Sequence, residues 1–345
     1  MQTKTLSAAI LIVATCGLTQ FSHAQGFGSG EGLPRHDITN LTGDLYRFRQ
    51  ARHFGMFLVT ADGILVVDPT NTEAATWLKQ QLDERFGLPV KYVIYSHSHN
   101  DHASGGEVFA ETATFIGHEN MRANLQAPAA DAPLLLREQL WDTSGDGMIQ
   151  AEESADTPVA NAFDRLDTDG NGNLTRREIW AGQYAGEQVP PDVYYSDHLS
   201  VSLGGKTVEL HYTGRNHTDD MTVVYFPDER TIYTVDFLTP NRPPRTLLGG
   251  GFFPDWLESL RRVAQLDFDI ISPGHELPGT KEHVIEQVQY MEELVAAVSD
   301  GISEGRTKEE LVETVLMEDY DHLIEYDLSR AGNVIGVYEA LVSGQ

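Results

Sequence analysis

Three histidines and one aspartate are concentrated in a single short stretch of the chain. His97, His99, Asp101 and His102 fall within six residues and directly follow the apolar run 90–95. The length and composition of that run predict a buried strand. Imidazole and carboxylate groups are common protein ligands of zinc and related metals. One histidine at a strand end is usually structural, but this spacing predicts a metal-binding loop with room for two ions.

A pair of metal ions needs more donors than this loop supplies. Suitable residues occur elsewhere, each at the end of a strand-like run: Asp68, His217, Asp236 and His275. Taken alone, Asp68 and Asp236 would be read as turn or helix-capping aspartates. Together with the histidines, they indicate one site assembled from several strand ends.

In this order, the motifs from Asp68 to His275 resemble those of the metallo-β-lactamase-fold hydrolases. The resemblance implies two sets of three ligands joined by a bridging carboxylate. The first set is His97, His99 and His217, the second is Asp101, His102 and His275, and the bridge is Asp236. It also implies that Asp68 supports the metal loop from behind the ligands. The pair Gly105-Gly106 matches the start of the family's next helix.

The chemistry expected of such a site is hydrolysis by an activated water, with two Zn²⁺ ions per chain as cofactors. Two cations about 3.5–4 Å apart lower the pKa of a bridging water from near 16 to about 7 and polarise the bond under attack. By resemblance, Asp101 orients the hydroxide and passes its proton to the leaving group. No serine or cysteine nucleophile is needed.

The substrate is less closely defined than the metal site. The only cysteine, Cys16, precedes the expected mature chain, which excludes β-lactamases with a thiolate ligand. A lactam, a lactone or another ester- or thioester-like bond of a small molecule fits. Arg242 and Arg245 are candidate contacts for a substrate carboxylate. Two other classes stay open: an iron oxidoreductase of the same fold, and a calcium-dependent binding protein with a vestigial metal site.

A second group of metal-binding residues interrupts the hydrolase pattern. Residues 142–153 and 167–178 match the twelve-residue EF-hand loop, with polar residues at positions one, three and five, glycine at six and glutamate at twelve. The predicted calcium ligands are Asp142, Ser144, Asp146, Met148 and Glu153 in the first loop and Asp167, Asp169, Asn171, Asn173 and Glu178 in the second. Ile149 and Leu174, at position eight, are expected to join in a short β contact. We expect up to two Ca²⁺ ions per chain, which stabilise an insertion that is not a sensor.

The beginning of the chain and its charge predict where the protein works. Residues 1–24 have the pattern of a secretory signal: Lys4, the apolar segment 6–13 and a small-residue cleavage site. We therefore expect a periplasmic or secreted protein. A lipoprotein anchored through Cys16 is the alternative, disfavoured by the residues before that cysteine. The net charge of −28 disfavours nucleic acid as a partner, and no later run approaches the ~20 apolar residues of a membrane span.

The order of strand and helix patterns, together with the resemblance, predicts the fold class. We expect an α+β protein with a four-layer αββα sandwich and a small helical EF-hand insertion. The predicted segments are a flexible leader at 25–40, the first half of the sandwich at 41–131, the EF-hand pair at 132–188, and the second half with C-terminal helices at 189–345. A chain of 345 residues that is 41% apolar is long enough to form such a core.

Overall fold

The computed structural model describes residues 34–139, 141–155, 157, 159–184, 188–244 and 255–343. The predicted signal sequence with Cys16 lies outside the described residues, as does Arg245. The described strands are β1 His36–Thr42, β2 Leu45–Gln50, β3 His53–Thr60, β4 Gly63–Val67, β5 Val90–Ile94, β6 Thr114–His118, β7 Ile149–Gln150, β8 Asn173–Leu174, β9 Val193–Tyr195, β10 His198–Leu203, β11 Lys206–Tyr212, β12 Thr222–Phe226, β13 Thr231–Thr234, β14 Ile270–Pro273 and β15 Gly279–Thr280.

The helices lie between and after these strands. They are α1 Thr72–Arg85, α2 Asn100–Ala103, α3 Met121–Asn124, α4 Leu136–Gln139, α5 Ala151–Ser154, α6 Phe163–Leu166, α7 Arg176–Tyr184, α8 Asp255–Gln265, α9 Lys281–Ser303, α10 Lys308–Thr314 and α11 Tyr326–Ser343. Short 3₁₀ turns cover Gly106–Phe109, Ala160–Ala162 and Glu318–Tyr320. Among the residues described, no helix combines the length and the apolar character that crossing a membrane requires.

Two sheets form the centre of the protein. The first has seven strands in the order β1-β2-β3-β4-β5-β6-β9, and the second has six in the order β10-β11-β12-β13-β14-β15. Leu58, Val67 and Ile94 from the first sheet pack against Val224 and Tyr233 from the second, all fully or almost fully buried. Burying a side chain of this size contributes about 1.5–3 kcal/mol. This shared core holds the sheets face to face.

Helices cover the outer faces of both sheets, so the predicted four-layer αββα sandwich is confirmed. Helix α1 contributes Leu78 and Leu82 to the outer core of the first sheet. It begins at Asn71, whose side chain accepts a 2.9 Å hydrogen bond from the Ala74 amide, a standard helix N-cap. Helices α8 to α11 cover the second sheet in the same way, with Leu260 and Met291 at the contact.

Two strands lie where the predicted segment boundaries do not place them. The last residues of the predicted flexible leader, 36–40, belong to β1, which pairs with β2 in antiparallel register. This edge strand is largely polar and half exposed, so it lacks the alternation that reveals a strand in sequence. Strand β9, from the segment assigned to the second half, pairs in parallel with β6 of the first sheet. Its three residues are too few for a periodic signal.

Gly105 lies where the metal loop packs closely against the start of α1. Its φ is +85°, and a Cβ there would lie 2.4 Å from the carbonyl carbon and 2.5 Å from the carbonyl oxygen of Asn71. Gly87 has φ +62°, but a Cβ there would meet only the Asp83 carbonyl oxygen at 3.9 Å. Gly105→Ala should therefore lower the free energy of unfolding by about 1–3 kcal/mol more than Gly87→Ala, because backbone atoms cannot move aside. Denaturant unfolding of both variants measures the difference, and equal losses would contradict it.

Candidate metal centre

The residues that could do chemistry lie at the carboxyl ends of neighbouring strands. Strands β4 and β5 run parallel, as do β13 and β14. The end of β4 therefore brings Asp68 beside the loop that follows β5 and carries His97. In the second sheet, Asp236 follows β13 and His275 follows β14. The strand ends of both sheets thus build one centre at the same edge of the sandwich.

Asp236 lies at the middle of this centre. Its Oδ2 is 3.4 Å from His97 Nε2, 3.7 Å from His102 Nε2 and 3.6 Å from His217 Nε2. Its Oδ1 is 3.1 Å from His275 Nε2. The Asp236 backbone has φ +57°, a left-handed conformation that is uncommon for residues other than glycine and often marks functional sites.

Hydrogen bonds fix which ring nitrogen two of the histidines, His97 and His275, present to the centre. The Ser96 hydroxyl donates to Asp68 Oδ2 at 2.6 Å, so at 3.0 Å it must accept from His97 Nδ1–H. His275 Nδ1 lies 3.1 Å from the Arg52 carbonyl oxygen, which can only accept. His102 Nδ1 faces Asp68 Oδ2 at 3.3 Å. When the rings of His97 and His275 are neutral, Nε2 therefore carries the lone pair, and buried His97 Nε2 has no hydrogen-bond partner among the described residues.

Two pairs of imidazole nitrogens face each other across the centre. His99 Nδ1 is 3.1 Å from His217 Nε2, and His102 Nε2 is 3.2 Å from His275 Nε2. Ligand atoms 2.0–2.1 Å from a tetrahedral zinc ion are about 3.3 Å apart, so both separations match that spacing. The donor set therefore has the composition and spacing that suit metal ions.

The predicted ligands form overlapping groups whose donor atoms lie within 4.8 Å of one another. One group is His97, His99, His217 and Asp236; a second is His102, Asp236 and His275; a third is His53, Asp101 and His275. All seven residues expected to hold the metal pair are thus brought together. Asp236 belongs to two of the groups, which is the arrangement a bridging ligand requires.

The electrostatics of the centre favour a bound cation. Burial raises the pKa of Asp236, but His275 and His217 outweigh it and hold the pKa well below its usual range. Burial and the neighbours His99 and His102 lower the pKa of His97 far below its usual value, so that ring is neutral. Burial also lowers the pKa of His102, but Asp101, Asp68 and Asp236 raise it to about 10. The field that draws a proton to His102 also draws a metal ion, which competes with the proton.

Asp68 supports this arrangement from behind the ligands, and it is fully buried. Its Oδ1 accepts the Ser96 amide hydrogen at 2.7 Å, and the Tyr233 hydroxyl lies 3.0 Å from its Oδ2. Burial and the charge of Asp68 raise the pKa of Tyr233 well above its usual value, so the phenol keeps the proton it can donate. Asp68 thereby holds the loop after β5 in place and orients the His102 ring.

His53 also belongs to the centre, although no sequence motif identifies it. Its Nε2 lies 3.3 Å from Asp101 Oδ2, and its ring centre is 4.9 Å from that of His275. Desolvation raises the pKa of Asp101, but His102 and the hydrogen bond from His53 lower it by more. The net pKa is below its usual value, so the carboxylate is ionised. His53 is a single histidine at the start of β3 with no motif around it. Only the turn before β3 brings it to this edge.

Arg242 does not lie where the sequence suggested a substrate contact. Its guanidinium pairs with Glu276 at 3.0 Å and with Glu325 at 3.1 Å, and its side chain is 4% exposed. These carboxylates neutralise it inside the protein, so it is not placed to meet a substrate carboxylate. The expectation for Arg242 is therefore wrong.

The inserted segment contains two similar loops joined by a short β contact. Ile149 pairs with Leu174 in antiparallel register, as their positions in the two loops predict. Gly147 and Gly172, at the sixth positions, have φ values of +88° and +79°, which glycine adopts without strain. A small apolar core under the loops contains Trp141, Phe163 and Ile179 among its buried residues.

The predicted calcium ligands line these two loops. Asp142 accepts the Gly147 amide hydrogen at 2.8 Å, and Glu153 accepts that of Ser144 at 2.7 Å. A hydrogen bond from the Gln150 amide is the main reason that the pKa of Glu153 is lowered. In the second loop the carboxylates converge, with donor oxygens within 4.8 Å of one another: Asp167, Asp169 and Glu178. The remaining predicted ligands lie in the same turns: Ser144, Asp146, Met148, Asn171 and Asn173.

Comparison with known proteins agrees with this geometry. A model of the metallo-β-lactamase superfamily matches residues 53–275. The alpha subunit of 2,4-dinitroanisole O-demethylase from Nocardioides sp. is 26% identical over 216 residues, 62% of this chain and 49% of that protein. A linear primary-alkylsulfatase from Pseudomonas sp. is 24% identical over 280 residues, 77% of this chain and 50% of that protein. The chain thus spans about half the length of these two curated relatives.

Solved structures show the same fold. A stereoselective inverting sec-alkylsulfatase from Pseudomonas sp. superposes with a TM-score of 0.59 at 16% identity, over 88% of this chain and 50% of that one. Identity at this level supports the arrangement of strands and helices alone.

Asp68→Asn tests the support of the metal loop. Asparagine keeps the size of the side chain but has one acceptor oxygen in place of two, so it cannot accept both from the Ser96 amide and from the hydroxyl groups now at Oδ2. We expect the zinc affinity of the protein to fall by about 10–100-fold, measured by competition with a chromophoric chelator. Asp62→Asn, in the exposed turn between β3 and β4, is the matched control. Wild-type zinc affinity in Asp68→Asn would show that this carboxylate does not orient the ligands.

Proposed function

The chain belongs to the metallo-β-lactamase superfamily, and we propose that it is a zinc-dependent hydrolase of a small molecule. The observation that carries the proposal is the pair of facing imidazole contacts on either side of Asp236. His97, His99 and His217 would hold one zinc ion, Asp101, His102 and His275 the other, and Asp236 would contact both. Bound zinc would lower the pKa of water and polarise the bond that is attacked.

Asp101 is the residue we assign to proton transfer. Its side chain is 41% exposed, whereas those of His97 and His102 are fully buried. An ionised carboxylate at the open side of the centre can accept a proton from water and return it to a leaving group. The hydrogen bond from His53 keeps Asp101 ionised and limits its rotation.

The substrate enters from the side of Asp101 and His217, because these are the more exposed members of the centre, at 41% and 29%. The candidate bonds are those of a lactam, a lactone, an ester or a thioester. The resemblance to alkylsulfatases adds a sulfate ester to this set. An iron oxidoreductase is the competing assignment, because the same His and Asp donors also bind iron.

The insertion would bind calcium through its two loops. The convergence of Asp167, Asp169 and Glu178 supports this proposal, because oxygen donors in this loop pattern suit Ca²⁺ rather than zinc. No ligand of the zinc pair comes from the insertion, so zinc and calcium would occupy separate sites.

Metal analysis combined with a substrate panel tests the proposed function. Protein purified without added metal should contain about two zinc ions, and His217→Ala should lose zinc together with turnover. The panel comprises a chromogenic β-lactam, a lactone, a thioester and a primary alkyl sulfate. Iron in place of zinc, or no hydrolysis of any panel member by protein with two zinc ions, would contradict the proposal.

Asp101→Asn tests the proton-transfer role. The amide keeps the size of the side chain and one oxygen, but it loses the charge and the proton acceptor. We expect kcat to fall by about 10²-fold or more on whichever panel substrate the wild type hydrolyses. Zinc content is measured in parallel, because the same residue is a proposed ligand. A variant with full zinc whose change is confined to KM would rule out proton transfer by Asp101.

Calcium removal should destabilise the protein. Without the cation, the carboxylates of each loop repel one another. At 100 times its dissociation constant, calcium would add about 2.7 kcal/mol per independent site. A calcium-selective chelator should therefore lower the melting temperature, and Glu153→Gln combined with Glu178→Gln should abolish the response to added calcium. Glu152→Gln removes a neighbouring charge outside the predicted ligands and should retain the response. A wild-type melting temperature that is the same with and without calcium would contradict the assignment of the two loops as calcium sites.

A further inference from the structure

The last helix of the insertion touches the loop that carries the metal ligands. The side-chain amide of Asn100 donates a 3.2 Å hydrogen bond to the Gly182 carbonyl oxygen in α7. The His99 ring packs edge-on against Tyr184, the last residue of α7, with ring centres 5.1 Å apart. Tyr184 is buried, at 6% exposed. Helix α7 is therefore part of the wall against which a predicted zinc ligand rests.

Further contacts anchor this part of the chain on both sides. Trp180, also in α7, donates from its indole Nε1 to the Asn124 carbonyl oxygen at 2.7 Å. Beyond α7, the Gln188 side chain donates to the Ser98 carbonyl oxygen at 2.7 Å. Two hydrogen bonds and the contact between the His99 and Tyr184 rings thus join the metal loop to the insertion.

The second EF-hand loop determines where α7 begins. Glu178, at the twelfth position of that loop, lies in the first turn of α7. Its carboxylate accepts hydrogen bonds from the amides of Thr168 and Thr175, each at 3.0 Å. Gly182 follows Glu178 by one helical turn. An ion bound by Glu178, Asp167 and Asp169 would therefore fix α7 against the body of the loop.

We propose that calcium in the second loop positions His99 for zinc binding through α7, with Tyr184 as the positioning residue. The proposal rests on the two metal sites proposed above and departs from the expectation that calcium acts on stability alone. Without calcium, the like charges of the second loop repel, α7 is less firmly held, and the His99 ring loses its packing surface. Calcium should then raise zinc affinity.

Zinc affinity measured with and without calcium tests the proposal. Titration against a chromophoric chelator, well below the melting temperature, should show about 10-fold weaker zinc binding when calcium is absent. Glu178→Gln should bind zinc as weakly as the calcium-free wild type, at any calcium concentration. Asp164→Asn, which removes a nearby exposed charge in α6, should keep the calcium response. Equal zinc affinity with and without calcium, at measured calcium saturation of the wild type, would overturn the proposal.

Variants of Tyr184 separate positioning from a general loss of stability. Tyr184→Ala should retain calcium binding but lose the calcium dependence of zinc affinity, whereas Tyr184→Phe should keep both because the aromatic contact with His99 is retained. The absorption spectrum of the cobalt-substituted centre should shift on calcium addition in the wild type and in Tyr184→Phe only. A shift of the same size in Tyr184→Ala would overturn the role of Tyr184. These measurements need no substrate. If the protein binds zinc but hydrolyses no substrate, the proposed function is refuted, but the effect of calcium on zinc binding can still be tested.

A separate cluster of two histidines and a glutamate, residue types that bind metal ions, lies on the outer face of β10 and β11. His198 and His211 are directly opposed on the two strands, with ring centres 4.8 Å apart. Glu209 Oε2 lies 3.1 Å from His211 Nε2 and 3.7 Å from His198 Nε2. Val208 and Leu210 alternate with these residues and face the core between the sheets. The cluster therefore points away from the proposed zinc pair.

We propose that His198, Glu209 and His211 bind a further divalent ion of the zinc class. The donor atoms all lie within 4.8 Å of one another, and the distances of 3.1 and 3.7 Å from Glu209 to the two histidines lie on either side of the roughly 3.3 Å spacing of ligands around tetrahedral zinc. The set offers three ligands and leaves one position to water. Such an ion would hold the edge strand β10 to β11 by bridging His198 and His211.

Counting zinc equivalents tests this site. Equilibrium dialysis of the full chain with saturating calcium should give one more bound zinc in the wild type than in His198→Ala or Glu209→Gln. His322→Ala is the matched control, because His322 is also exposed and lies 2.9 Å from a single carboxylate, Glu286. Its zinc count should equal that of the wild type. Equal counts in the wild type and His198→Ala would overturn the proposal, as would the loss of one equivalent in His322→Ala.

Discussion

A fully buried carboxylate, Asp68, joins the two sheets where the metal-binding loop begins. Asp68 directly follows β4 and accepts hydrogen bonds from the amide and the hydroxyl of Ser96 in the neighbouring loop. It also lies 3.0 Å from the hydroxyl of Tyr233 in the other sheet. A buried charge costs several kcal/mol unless donors surround it. Here the donors come from both sheets, so the same contacts stabilise the carboxylate and set the position of the sheets. The orientation of His102, and with it the metal centre, depends on this arrangement.

The imidazole and carboxylate groups in front of Asp68 have the types and the spacing of a set of metal ligands. The hydrogen bonds of His97 and His275 leave the Nε2 atoms of both rings facing Asp236. Burial lowers the pKa of His102, but the three nearby carboxylates raise it to about 10. The fold therefore holds the donor atoms where a cation can take the place of that proton. A hydrolase gains from this, because the ligands need not reorganise when the metal binds.

Residues close in sequence were the easiest to predict. The four ligand candidates of the loop after β5 and the pairing of Ile149 with Leu174 depend on short-range spacing, which the sequence displays directly. Contacts between distant segments were not visible. His53 reaches Asp101 only because the turn before β3 lies at the same edge of the sandwich, and Asn100 meets Gly182 across 82 positions of sequence. The expectation that Arg242 contacts a substrate is wrong for a related reason, because its partners Glu276 and Glu325 are far from it in the chain.

Short or polar elements were missed because they carry little periodic signal. Strand β1 is half exposed at a sheet edge, and β9 has three residues. Both complete the first sheet, and β9 returns the chain to it after the insertion. The contact between α7 and the metal loop likewise joins residues far apart in the chain. The proposed link between the calcium and zinc sites depends on this contact, which the motifs do not show.

The most direct test of the account is anomalous diffraction from crystals of the protein, recorded on both sides of the zinc absorption edge. We expect a pair of zinc peaks at this centre, about 3.5–4 Å apart, one beside His97, His99 and His217 and the other beside His102 and His275, with Asp236 in contact with both. A single peak, an iron signal in place of zinc, or a pair of ions that Asp236 does not join would contradict it.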